Sequence, residues 1–270
     1  MATPLILTNP LSSVTERLLH SINRVCKAQA VPFFIAGATA REILIHHVYG
    51  KTIGRRTRDI DFAVFVNSWA PFDALKQAFI DEGAQAITGN AHRMTLEGVE
   101  LDIIPFGGVA ESKHVAWPPD RDVIMAVDGF EEAYHHTVRV ALADGEAISF
   151  CSLPGLALLK LFAWRDRGAA NGKDAADLYK IISDYGAIEE DRIYEPPVDG
   201  PRLAWDPARM GAFLLGSDLA AISAGEALAD IKRLDRERLT DAVVRQLHAV
   251  DAGEIDQMMA DFWQGVEAAP

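Results

Sequence analysis

The stretch Asp59-Ile60-Asp61-Phe62-Ala63-Val64-Phe65-Val66 sets two carboxylates at the head of an apolar run. Such a run reads as a buried strand. Side chains alternate along a strand, so Asp59 and Asp61 project to one face and Ile60 to the other. Two carboxylates that close repel, and each raises the cost of ionising the other. A divalent cation relieves the repulsion. Mg²⁺, or Mn²⁺ in its place, suits hard carboxylate oxygens and takes substrate phosphates as further ligands.

A second acid-bearing strand follows. His92 to Leu96 and Val99 to Pro105 read as two strands joined at Glu97-Gly98, a hairpin-like turn. Asp102 lies inside the second, between Leu101 and Ile103-Ile104. An acid in an apolar strand is costly unless paired or bound to a metal. Beside Asp59 and Asp61, it reads as a third carboxylate that completes a metal site or accepts a proton from an attacking hydroxyl.

Upstream, Val31 to Ala36 is a short apolar run that turns through Gly37-Ala38-Thr39 into a helical stretch, Ala40 to Tyr49. A strand turning through small residues into a helix presents backbone N–H groups and the positive helix end, both suited to phosphate. Thr39 could add a hydroxyl donor or cap the helix. Tight packing is the competing reading of the same turn. Between turn and carboxylates lies a basic loop holding Lys51, Arg55, Arg56 and Arg58, a local reversal of sign in an acidic chain. It is either a solvated loop or a source of cations for a triphosphate, with Arg58 the favoured residue.

Other segments read as scaffold. Helices are expected over 11–30, with Ser13 and Glu16 as a capping box, and over 69–82, closed by Gly83. Short strands are expected at 137–141 and 147–150 around a turn at Asp144-Gly145, and 105–119 as a loop. A helix over 153–167 starts at Ser152 and Pro154, and another runs from Lys173 to Tyr185, capped by Asn171 with Asp174 at the capping-box position. Lys160, Lys173 and Asp174 have two readings. They form a solvated face with ion pairs such as Lys173–Asp177, or Lys160 reaches phosphates while Lys173 and Asp174 line the site. A proline-containing connector covers 187–207, and helices are expected near 207–215, 218–228, 236–250 and 254–263. The pairs His46-His47 and His135-His136 lack metal-ligand spacing and read as surface or packing residues.

Taken together, four stretches resemble the nucleotidyltransferase superfamily with the polymerase-beta-like palm, and within it the AbiEii/AbiGii-type group of abortive-infection and toxin–antitoxin systems. They are Ile35-Ala36-Gly37-Ala38-Thr39-Ala40, Arg58-Asp59-Ile60-Asp61-Phe62, Leu101-Asp102-Ile103-Ile104-Pro105-Phe106, and Leu159-Lys160-Leu161-Phe162-Ala163 followed by Lys173-Asp174-Ala175-Ala176-Asp177-Leu178. Gly37-Ala38 stands where many members carry Gly-Gly or Gly-Ser. The resemblance implies an α/β (α+β) fold, a mixed sheet flanked by helices and followed by a helical region. It implies transfer of a nucleoside monophosphate from an NTP to a hydroxyl. Asp59, Asp61 and Asp102 would hold Mg²⁺, Gly37-Ala38-Thr39 would cradle phosphates, and Lys160 and Arg58 would neutralise charge. The acceptor (RNA, protein or small molecule) and a cognate antitoxin are the partners implied. The alternatives are an aminoglycoside-type drug-modifying enzyme and a non-catalytic binding descendant.

Length and composition bound these readings. The 270 residues, 49% apolar, allow a catalytic domain over 1–150 and a helical domain over 151–270. No apolar run approaches the ~18 residues of a membrane span. Cys26 and Cys151 make no disulfide framework, which with the absence of a signal-like N-terminus suggests a cytoplasmic protein. The net charge of -13 argues against broad adhesion to nucleic acid and fits a polycationic acceptor better than a polyanionic one.

Overall fold

A computed structural model of the chain describes residues 3–53, 59–119, 121–223 and 225–268. They form two compact units, Met1–Ser152 and Leu153–Pro270. Arg58, with Arg55 and Arg56, lies outside the described residues.

The first unit is built on a mixed sheet. Its strands are β1 (Leu5–Ile6), β2 (Phe33–Ile35), β3 (Asp59–Phe65), β4 (Gln85–Ala86), β5 (Arg93–Leu96), β6 (Val99–Phe106), β9 (Val138–Ala141) and β10 (Ala147–Phe150), with β7 (His114–Ala116) and β8 (Ile124–Ala126) forming a separate two-stranded ribbon. The spatial order is β1-β9-β10-β2-β3-β6-β5-β4. β3 is central, antiparallel to β2 and parallel to β6. Helices α1 (Ser13–Ala28), α2 (Gly37–Glu42), α3 (Trp69–Asp81) and α4 (Phe130–His135) complete the unit, and α2 runs on into a π-helical turn, Ile43–Val48.

The alternation of β3 decides which face carries what. Ile60, Phe62 and Val64 are buried on one face, where Phe62 meets Phe79 of α3 at 5.7 Å between ring centroids. The opposite face runs Asp59, Asp61, Ala63, Phe65, and its partner β6 runs Glu100, Asp102, Ile104, Phe106 in register. Phe65 and Phe106 pack with Tyr134 of α4. One end of this face is therefore sealed by aromatic burial, worth roughly 2 kcal/mol or more per ring. The other end bears the acids.

The second unit is helical among its described residues: α5 (Leu153–Arg167), α6 (Lys173–Ile188), α7 (Pro207–Ile222), α8 (Gly225–Lys232), α9 (Arg236–Gln246) and α10 (Ala252–Ala268). The expected break between 215 and 218 does not occur, and α7 continues through Gly216. Glycine there serves packing. A Cβ on Gly216 would lie 2.0 Å from the Phe262 carbonyl oxygen, and one on Gly265 would lie 2.0 Å from the Phe213 carbonyl oxygen. The close approach of α7 and α10 outweighs the weak helix propensity of glycine. Other departures are smaller. The expected loop 105–119 contains β7, the segment 123–136 holds β8 and α4, and the two-residue edge strands β1 and β4 have no signal in the sequence. Cys26 and Cys151 are buried, as expected, and burial pushes both thiols up from their ordinary value. No described helix is long and apolar enough to cross a membrane.

Candidate active site

The site is assembled by strand register. Across β3 and β6, Asp61 pairs with Asp102 and Asp59 with Glu100. One carboxylate oxygen from each of Asp59, Asp61 and Asp102 lies within 4.8 Å of the others. Asp102 is 7% exposed, and Asp59 and Asp61 are half-buried. Three hard anionic donors converging at that spacing fit a divalent cation such as Mg²⁺ or Mn²⁺, and soft-metal ligands are absent from the group.

The start of α2 is stitched to the acid-bearing end of β3. The Ala36 amide donates to the Asp61 carbonyl at 2.8 Å, and the Thr39 hydroxyl donates to the Asp59 carbonyl at 2.7 Å. Gly37 has φ +60, and a Cβ placed on it would lie 1.9 Å from Asp61 Oδ2. Only glycine meets both demands, since it tolerates the left-handed region and leaves room for the carboxylate. Thr39 is buried and does not cap the helix. The residue at the cap is Ala36, which has no side chain able to do so. The Gly37-Ala38-Thr39 turn thus sits directly against the carboxylates, with the Thr39 hydroxyl proton committed to β3.

The structure adds a residue that the sequence reading passed over. Arg93 on β5 lies opposite Asp102. Its Nε and one terminal nitrogen each donate to a different Asp102 oxygen at 2.6 Å, and the other terminal nitrogen donates to Glu100 at 2.8 Å. Such a fork is the strong, planar form of the charge-assisted bond. The Arg93 guanidinium is raised above its ordinary value, first by its hydrogen bonds to Asp102, against a smaller opposing effect of burial. Asp59 adds to the same attraction. The signal was present: the Glu97-Gly98 turn, with both residues at positive φ, sets Leu96 opposite Val99, and stepping outward from there sets Arg93 opposite Asp102. The neighbouring His92 is lowered from its ordinary value, chiefly by burial.

Lys160, Lys173 and Asp174 belong to the second unit. Lys160 Nζ donates to Asp174 at 2.9 Å and to Asp177 at 2.7 Å, and Arg167 forks onto Asp174 at 2.6 and 3.0 Å. Asp174 is 2% exposed. Burial pushes its carboxyl up, but the Arg167 and Lys160 contacts more than offset this and leave it below the ordinary range. Asp177 therefore takes the ammonium of Lys160 on α5. The expected capping of α6 is also altered. Gly172 is the cap residue, Asn171 Oδ1 accepts from the Lys173 amide at 3.2 Å, and Asp174 turns into the α5–α6 packing. Lys173 is exposed.

The histidine pairs pack as expected. Nδ1 of His46 meets the Lys51 carbonyl at 3.0 Å, and Nδ1 of His47 the Asn9 carbonyl at 3.1 Å, while His135 and His136 are exposed. A different histidine is better placed near acids. His20 of α1 contacts Glu146 at 3.2 Å and Asp144 at 3.7 Å, and Lys27 also binds Glu146, at 2.8 Å. With the ammonium already on Glu146, this group reads as an ion-pair clamp between α1 and the β9–β10 turn.

Comparison with known proteins places the chain. The family model described as "Nucleotidyl transferase AbiEii toxin, Type IV TA system" matches residues 19–264. No curated protein matches. Among solved structures, ANT(2")-Ia in complex with adenylyl-2"-tobramycin is similar at 13% identity and a TM-score of 0.39, covering 93% of this chain and 97% of that one. An antigenic nucleotidyltransferase-like protein from Paracoccidioides brasiliensis is similar at 16% identity and a TM-score of 0.42, covering 64% of this chain and 78% of that one.

Proposed function

Since the chain belongs to the AbiEii family of nucleotidyl transferase toxins and is a nucleotidyltransferase, we propose that it transfers a nucleoside monophosphate from an NTP to an acceptor hydroxyl at the Asp59–Asp61–Asp102 cluster. The acceptor oxygen bonds to the α-phosphorus, the bond from that phosphorus to the bridging oxygen breaks, and pyrophosphate leaves. Asp59, Asp61 and Asp102 are the residues that would hold a divalent cation, with Mg²⁺ the favoured ion. When bound, the cation would supply positive charge to the triphosphate and to the departing pyrophosphate.

Each residue has a defined task in this reading. Asp59 and Asp61 face the substrate phosphates from the open end of β3. Asp102 ligates the cation and receives the proton of the acceptor hydroxyl; its two oxygens accept one N–H each from Arg93, which leaves lone pairs for both. The backbone N–H groups of Gly37, Ala38 and Thr39 take the β- and γ-phosphates. Arg58 supplies positive charge, while Lys160 is held by Asp174 and Asp177 within the second unit. A cognate antitoxin is the counterpart that this reading implies, in line with the family's description as a Type IV TA system.

The observation that carries the reading is the convergence of three carboxylates within 4.8 Å, one of them packed against a glycine turn. The test is calorimetric titration with each NTP, with and without Mg²⁺, on the natural protein and on Asp59→Asn/Asp61→Asn. Mg²⁺-dependent binding that the double substitution removes is expected. Turnover in Asp61→Asn should fall by about 10²-fold or more. Binding that ignores both Mg²⁺ and the substitutions would sink the proposal. A second reading, a small polycationic acceptor, draws on the net charge of -13. Expression separates the two: growth arrest supports a toxin, and drug resistance supports the small-molecule enzyme.

A further inference from the structure

The carboxylate cluster carries its own cation. On one face of three adjacent strands, β5, β6 and β3, the register sets Arg93 beside Asp102 and Glu100, and these beside Asp61 and Asp59. Arg93 is bound to Asp102 through two 2.6 Å contacts and to Glu100 through a third at 2.8 Å. The arginine side chain is 30% exposed while Asp102 is almost wholly covered. The guanidinium is therefore no rim charge that drifts in solvent. It is fixed on the least exposed of the three candidate ligands, and its attraction extends to Asp59 as well.

We propose that Arg93 is the resident counter-cation of the site, which keeps divalent-ion affinity low in the nucleotide-free protein so that the ion enters together with the nucleotide. This rests on the reading of Asp59, Asp61 and Asp102 as metal ligands. A divalent ion bound through Asp102 shares that carboxylate with the guanidinium, so the two positive charges are close neighbours. Their repulsion weakens the ion's binding to the empty site. A nucleotide brings the negative charge of its triphosphate, which offsets this repulsion and lets guanidinium and metal ion coexist. Arg93 also fixes the orientation of Asp102, so it is a positioning residue in the loaded site.

The two effects of Arg93 make opposite predictions for metal binding. If the positive charge dominates, removing it tightens the empty site. If orientation dominates, removing it loosens the site. Even at the dielectric constant of water, a unit charge a few ångströms from a divalent ion is worth about tenfold in affinity.

The experiment is Mn²⁺ titration of the full chain without nucleotide, read by electron paramagnetic resonance of the free ion. Arg93→Met keeps an unbranched apolar stem and removes the guanidinium with its charge. Arg93→Lys keeps the charge and loses the fork. Arg93→Gln is a second neutral variant, and circular dichroism confirms folding of each. The expected result is Mn²⁺ binding about tenfold tighter in Arg93→Met and Arg93→Gln than in the natural protein, and near the natural value in Arg93→Lys. Adding Asp61→Asn should abolish the gain. Neutral variants that bind Mn²⁺ no tighter, while Asp61→Asn still weakens binding, overturn the counter-cation role and leave the metal site standing. Binding that is indifferent to Asp61→Asn overturns both.

Discussion

Replacing Gly37 by alanine tests the geometry at its tightest point. The added methyl carbon would lie 1.9 Å from Asp61 Oδ2, 2.6 Å from its Cγ and 2.9 Å from its Cβ. Ordinary van der Waals contact begins at 3.4 Å, so the carboxylate or the turn must move by about 1.5 Å. The φ of +60 adds the left-handed penalty of an L-residue, about 1 kcal/mol. A misplacement on the order of 1 Å at a reacting centre costs about 10²-fold in rate. Gly83→Ala is the control, because Gly83 also has positive φ but nothing within 4 Å of its added Cβ. Urea unfolding should show both variants losing about 1 kcal/mol from backbone strain, with any further loss in Gly37→Ala reporting the clash. Calorimetry should show Mg²⁺-dependent NTP binding intact in Gly83→Ala and weakened at least tenfold in Gly37→Ala, with turnover lower by about 10²-fold. A folded Gly37→Ala protein that binds and turns over like the natural one would refute the reasoning, because Asp61 would then tolerate displacement.

Two further substitutions probe residues whose roles the geometry separates. Thr39→Val keeps the backbone N–H and the shape but removes the donor to the Asp59 carbonyl. Urea unfolding should show a loss of about 1–2 kcal/mol, with NTP affinity changed by less than about threefold; a large loss of affinity would instead make the hydroxyl a phosphate donor. Asp174→Asn leaves Lys160 and Arg167 facing a neutral amide in the α5–α6 packing and should cost about 3 kcal/mol at neutral pH. Because the folded carboxyl of Asp174 lies below its ordinary value, its contribution is complete above about pH 4 and fades as pH falls through the folded value. Unfolding midpoints of the two proteins should therefore converge only in acid, and a gap that closes on the alkaline side instead would contradict the assignment.

The sequence by itself determined the local pieces of this protein. Period-two alternation set Asp59 and Asp61 on one face of a strand, and it did the same for Asp102 on the next carboxylate strand, because alternation is a property of the extended backbone and needs no partner. Gly37 announced a turn, and the Glu97-Gly98 pair announced a hairpin. The family motifs were legible for the same reason: each is a short run whose chemistry depends on its own spacing. Tertiary structure alone decided the pairings. Parallel strands β3 and β6 are joined by a long crossover, so no local rule fixes Asp61 opposite Asp102. The hydroxyl of Thr39 could serve a phosphate, a helix cap or a neighbouring strand, and only the position of β3 selects the last. Lys160 could reach solvent or Asp177, and packing of α5 on α6 selects the acid. Gly216, which reads as a break, lies within a continuous helix because the backbone of α10 occupies the space a side chain would need. A chain encodes which conformations each residue tolerates through short-range sterics, whereas the choice among tolerated partners is settled by burial and charge from residues distant in sequence.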